Sequence, residues 1–173
     1  MRKNKVLVPL DGSAFSRQIL PQMPKFLDAA LNQLILYRVV EEPRPVHIHQ
    51  DGIDIDIYVD QIEEGIRYQV ADELRADMDE LRAAGFAVTA QLAFGERPAK
   101  SIEAFVADEQ IDMIAMTTHG RTGLRRVFAG SVAEHLLHHI EVPILLIRPT
   151  EEAIATTDDQ ENAETVAEPM LLV

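Results

Sequence analysis

The stretch THGRTGLRRVFAGS, residues 118–131, holds Gly120 and Gly123 three apart and a Gly130-Ser131 pair ten residues after the first of them. Glycines without a Cβ let main-chain amides come close to a bound group, and a Gly-Ser pair opening a helix presents unpaired N–H groups that attract anions. Arg121, Arg125 and Arg126 add positive charge beside them, so the chemistry on offer is the cradling of phosphate. The plainer alternative is a long turn-rich loop, with Ser131 as the helix N-cap and Glu134 completing a capping box. A second cluster, Asp11-Gly12-Ser13, follows the first apolar run. Its carboxylate suits a sugar or base edge, and the same residue types also cap helices.

Other chemistries find no support. In GERPAKS, 95–101, Lys100 stands where a P-loop needs its second glycine, and there is no GxGxxG. His47 with His49, or His138 with His139, are adjacent or alternate histidines without cysteine, and they are expected to be solvated, so no protein metal site is expected. Asp51, Asp54 and Asp56 lack the spacing of a calcium loop. Ser131 has no nucleophile-elbow sequence around it.

These clusters sit on a chain of 173 residues with 47% apolar and 5% aromatic residues, enough for one ordinary domain. The formal charge is −13, but residues 151–173 hold seven acids and no base, which leaves −6 on the first 150. Acidity without a long basic run argues against nucleic acid. The absence of cysteine fits a reducing compartment, and no apolar run reaches the length of a signal-peptide core or a membrane span. A soluble, cytoplasmic protein is expected, with a folded domain over 1–149 and an acidic tail over 150–173 that is disordered or loosely docked.

The elements that must position the clusters can be read from periodicity. Apolar runs at 5–10, 33–40, 86–94, 111–118 and 142–149 read as strands buried on both faces. Helical patterns lie between them over 14–30, 60–84 closed by Gly85, from Pro98 through Val106, and from Ser131 with Val132, Leu136 and Ile140 inward. Val70, Leu74, Met78 and Leu81 form the stripe of the second. Residues 41–59 read as a loop or lid. Strict alternation of strand and helix predicts a three-layer α/β sandwich with ligands beyond the carboxyl ends of the strands.

KVLVPLDGS, LILYRVVEEP, FGERPAKSI, THGRTGLRRVFAGSVAEHLL and VPILLIRP, in this order, resemble the universal stress protein family over residues 3–149. The resemblance implies a five-stranded parallel sheet of order 3-2-1-4-5, the adenine nucleotide alpha hydrolase-like fold, usually as a homodimer. One branch of the family carries ATP between strands 1 and 4 and shows Gly, two residues, Gly, nine residues, then Gly and Ser or Thr. Here those positions hold Thr117, Gly120, Gly130 and Ser131, so the first glycine is replaced. The family's base lies by the first strand's aspartate, here Asp11, and the main chain of the second strand, here Val39, while the glycine segment takes ribose and phosphates. The expected nucleotide-holding set is therefore Pro9, Leu10, Asp11, Gly12, Ser13, Val39, Thr117, Thr118, His119, Gly120, Arg121, Gly123, Gly130, Ser131 and Val132.

The function expected from this likeness is a stress-response regulator that binds ATP, or ADP or AMP, with or without magnesium, and works through partner interactions. At most slow hydrolysis or autophosphorylation is expected of it. The alternative is a nucleotide-free dimeric scaffold or chaperone-like protein. The dimer is expected along the fifth strand, where Ile144 to Ile147 carry no proline or charge to blunt an edge.

Overall fold

The computed structural model describes residues 2–50, 53–118 and 130–148, and of 46–50 and 53–57 the backbone alone. Five strands, β1 (Asn4–Pro9), β2 (Asn32–Val40), β5 (Ala87–Phe94), β6 (Met113–Thr117) and β7 (Ile144–Ile147), form one sheet in the order β5-β2-β1-β6-β7. Every neighbouring pair is parallel. Counted along the sheet strands alone, this is the order 3-2-1-4-5 expected above. β1 lies at the centre, and Val6, Leu7 and Val8 are fully buried in it, as a strand covered on both faces requires.

Side chains alternate across the sheet and divide the core in two. Val6, Val8, Leu34 and Leu36 join Ile19, Met23, Val70, Leu74 and Leu81 on one face. Leu7, Ile35, Tyr37 and Ile114 join Ile102, Val106, Ala133 and Leu136 on the other. After the short α1 (Ala14–Arg17), the first face is covered by the turn at Ile19 and Leu20, α2 (Met23–Phe26), α3 (Val59–Glu73) and α4 (Arg75–Ala83), the second by α5 (Pro98–Asp108) and α6 (Ser131–His139).

Two expected helices are not continuous. The pattern over 14–30 breaks into α1, a 3-10 turn at Leu20–Gln22, and α2. Pro21 and Pro24 cause it, since each lacks an N–H and can only open a new turn. The pattern over 60–84 divides at Leu74, whose φ of −86° and ψ of −8° depart from helical values, although Val70, Leu74 and Leu81 stay buried as the stripe predicts. Gly85, at φ +93°, closes α4 in a Schellman arrangement: its N–H donates to Arg82 O and that of Phe86 to Leu81 O.

The segment 41–59 is not simply a loop. β3 (Val46–Gln50) and β4 (Ile53–Ile57) pair antiparallel as a separate two-stranded sheet. The alternation of isoleucine with histidine and aspartate is a period-two signal, and Asp51-Gly52 between the strands is a strong hairpin dipeptide. Prolines at 43 and 45 obscured it by suggesting irregular chain.

Candidate functional site

The carboxyl ends of β1, β2, β5 and β6 open into one cavity of about 720 Å³, a size suited to a small organic ligand. At the end of β1, the Leu10 N–H donates to Tyr37 O at 2.9 Å, and the chain then turns through Gly12 at φ +83°. A Cβ built on Gly12 would land on the guanidinium of Arg38, so two independent constraints, backbone and space, select glycine there. Ser13 is the N-cap of α1, and its Oγ accepts from the Ser16 N–H at 3.1 Å. Asp11 stands behind the cap: its Oδ1 accepts from the Ser13 N–H at 2.9 Å and the Ser13 hydroxyl at 2.6 Å. Capping and lining are thus shared, because Asp11 also borders the cavity while Ser13 does not.

On the opposite wall β6 ends at Thr117, register partner of Ile147 and only 5% exposed. Thr118 then donates to Ile147 O at 2.8 Å and accepts from the Gly130 N–H at 2.5 Å. Thr118 and Gly130 are therefore held together beside the cavity. The expected capping box at α6 is not formed. Gly130 is the N-cap, at φ −65° and ψ 159°, no described side chain caps the helix, and Ser131 is its first residue. The reason is the register: the Glu134 N–H already donates to Gly130 O at 2.9 Å, which starts the helix one residue early. The N-terminus of α6 faces the cavity through Ser131, Val132 and Ala133, with no capping side chain among the described residues.

Of the expected set, Pro9, Leu10, Asp11, Val39, Thr117, Thr118, Gly130, Ser131 and Val132 line this cavity. Gly12 and Ser13 support it from behind. His119, Gly120, Arg121 and Gly123 lie outside the described residues, as do Arg125 and Arg126. Sequence reasoning missed Arg38, Glu41, Gly95, Glu96 and Met116. The parallel register was the available signal. With Pro9 beside Tyr37 and Val40 beside Phe94, residues just past β2 and β5 must share the edge where β1 ends. Among the described lining residues Arg38 is the sole cation, beside Asp11, Glu41 and Glu96. Its Nη1 donates to Leu10 O at 3.5 Å, which holds it near the turn.

The helices framing the cavity are clamped to each other. Glu103 of α5 accepts from Lys100 Nζ at 2.8 Å and meets His135 Nε2 of α6 at 2.9 Å. Lys100 first, then His135, hold the Glu103 carboxyl down to about 2. The Tyr37 ring packs on Phe105 at 4.4 Å, and burial pushes its hydroxyl up. Because the folded value of Glu103 lies below its ordinary 4.5, its stabilising contribution is complete above that pH and is lost as pH falls toward 2. Urea midpoints measured from pH 6 down to 2 should therefore fall less steeply in Glu103→Gln than in the unaltered chain. Among residues with described side chains, no three His, Asp or Glu converge on a metal position.

No described helix is long and apolar enough to cross a membrane. The chain is 26% identical over 153 residues to the universal stress protein MJ0577 of Methanocaldococcus jannaschii, covering 83% of this chain and 94% of the relative. The solved structure of MJ0577 superposes with a TM-score of 0.68 at 22% identity, over 87% of this chain and 99% of that one. An Arabidopsis thaliana universal stress family protein with AMP bound superposes with a TM-score of 0.58 at 17% identity, over 86% and 96% of the two chains. A universal stress protein in complex with cAMP does so at 0.59 and 16% identity, over 87% and 100%. These likenesses show the same fold. With the sequence pattern of the Universal stress protein family matched over residues 3–148, on a sheet of the expected order, the chain belongs to that family.

Proposed function

We propose that the chain binds ATP or a related adenine nucleotide in the cavity between β1 and β6 and acts in the stress response by changing its partner interactions with nucleotide occupancy. The observation that carries this reading is the N-terminus of α6, which no described side chain caps and which faces a cavity that Asp11 and Val39 also line. Family members bind AMP in one case and cAMP in another, and both ligands share the adenosine and a phosphate on which such a cavity would act. Base and ribose would lie toward Asp11 and Val39, and phosphates toward Gly130 and Ser131, with magnesium arriving on the nucleotide where it is used. Efficient phosphoryl transfer is not part of the proposal, since Arg38 is the one cation among the described lining residues to stabilise transferring charge. The direct test is mass spectrometry of the protein purified without added nucleotide, in which a retained adenine nucleotide is expected.

A nucleotide-free scaffold is favoured by one observation. Thr117, in place of a family glycine, is a buried strand residue whose side chain takes up space at the cavity wall. Thr117→Gly separates the readings: affinity that holds or improves supports nucleotide binding, and a chain that ignores nucleotide with either residue supports the scaffold.

The cytoplasmic dimer expected from sequence belongs to both readings. β7 forms one edge of the sheet, and Ile144 to Ile147 are only half-buried within the subunit. A second copy meeting this edge antiparallel would pair the N–H and C=O groups that no described strand takes up, and cover the side chains. Leu146→Lys should move the sedimentation coefficient from dimer to monomer with the circular dichroism retained, since a lysine stem can lie along apolar surface with its charge in water. A monomeric unaltered protein at tens of micromolar would refute the dimer.

A further inference from the structure

We infer that Arg17 holds the bend between α3 and α4, and through it makes the shape of that outer surface follow what occupies the cavity; the second half rests on the nucleotide reading. The bend at Leu74 has no local cause. Residues 66–83 contain no proline, glycine or serine, and the stripe Val70-Leu74-Met78-Leu81 packs on the core from both sides of it. A helix without such residues kinks where another side chain enters its ladder of hydrogen bonds. Arg17 is that side chain. In a continuous helix Glu73 O would take the Asp77 N–H. Here it accepts from Arg17 Nη2 at 3.2 Å, while Arg17 Nε donates to Asp77 Oδ2 at 3.1 Å. One guanidinium thus grips the last residue of α3 and the first turn of α4, which its planar fork allows and a lysine would not. The Asp77 side chain is 18% exposed, so water and salt screen the contact less than they would a surface pair.

Arg17 is also the last residue of α1, and the other end of α1 borders the cavity. Four residues make a helix of only about 6 Å at about 1.5 Å each, so the two ends are close. Asp11 and Ser16 both line the cavity, and the Asp11 N–H donates to Ser16 Oγ at 3.3 Å. Ser13 O accepts from the Ser16 hydroxyl at 2.9 Å and from the Arg17 N–H at 3.3 Å, while Asp11 holds Ser13 in turn. These bonds bind the turn into one unit. A ligand that shifts Asp11 therefore shifts Arg17, and the bend is the element with two arrangements, bent with the guanidinium in the ladder and continuous without it.

The experiment is amide hydrogen exchange of the full chain by NMR, with and without AMP. In Arg17→Met the Asp77 N–H recovers Glu73 O and is expected to exchange about two- to tenfold more slowly, the protection that one net hydrogen bond confers. Simple loss of stability would speed it. Saturating AMP is expected to change exchange at Arg75 to Met78 in the unaltered chain and to leave those amides unmoved in Arg17→Met. Should that variant fail to fold, Arg17→Lys, which keeps the charge without the fork, carries the same expectations. Exchange at Asp77 that is unchanged or faster in the variant overturns the inference. So does AMP that alters the amides of Asp11 and Gly130 but not those of 75–78, an outcome that leaves the nucleotide reading intact. AMP that alters none of them overturns both the nucleotide reading and the coupling, while the ligand-free comparison still decides what holds the bend.

Discussion

Adenine nucleotide at a hundredfold excess over its dissociation constant should stabilise the chain by about 2.7 kcal/mol, because a ligand that binds only the folded state draws the equilibrium toward it. For a chain of this size that is a rise of about 5–11 °C in melting temperature, at about 2–4 °C per kcal/mol. The effect should be shared by ATP, ADP and AMP if Asp11 and Val39 hold the adenosine, and should grow with phosphate number if the N-terminus of α6 contributes. Gly130→Val isolates the second contribution. Gly130 sits at φ −65°, which any residue adopts, so valine there leaves the backbone unstrained while placing a branched side chain where the helix meets the cavity. The variant should melt close to the unaltered chain without nucleotide and lose the shift with it. A chain that shows no shift with any of the three nucleotides at millimolar concentration would give the scaffold reading the field.

Leu36→Ala should cost about 2–5 kcal/mol, the range for removing a large side chain from a core that cannot collapse around the gap. Leu36 is fully buried in β2, a strand paired on both sides, by β1 and by β5, so neither neighbouring strand is free to move in. Domains of this kind hold about 5–15 kcal/mol in all, so the loss is a large fraction of the total. Leu137→Ala provides the contrast. That leucine is 50% exposed on the outer side of α6, and its truncation should stay within about 0.5 kcal/mol. Urea denaturation followed by circular dichroism reads both, with the difference in midpoint and an unchanged slope as the sign of a change in stability alone. Equal losses at the two positions would mean that the two-faced core is wrongly drawn.

Much of this protein was legible in the order of its residues. Valine-, isoleucine- and leucine-rich runs of strand length, alternating with helical stripes such as Val70-Leu74-Met78-Leu81, are enough to require a parallel sheet covered on both faces, because each run must bury both its sides. Asp11 and Thr117 could be placed at the ligand edge for the same reason, since one follows the first strand, the other ends the fourth, and that edge collects the carboxyl ends. What the order of residues left open was settled by contacts between segments far apart in the chain. Ser13 caps α1 with Asp11 behind it, whereas Ser131 does not cap α6, and no local rule separates two serines that both precede helical patterns. Arg38 belongs to the cavity only because Gly12, twenty-six positions earlier, leaves room for its guanidinium. The pairing of β3 with β4 likewise depends on the register of two segments rather than on the composition of either.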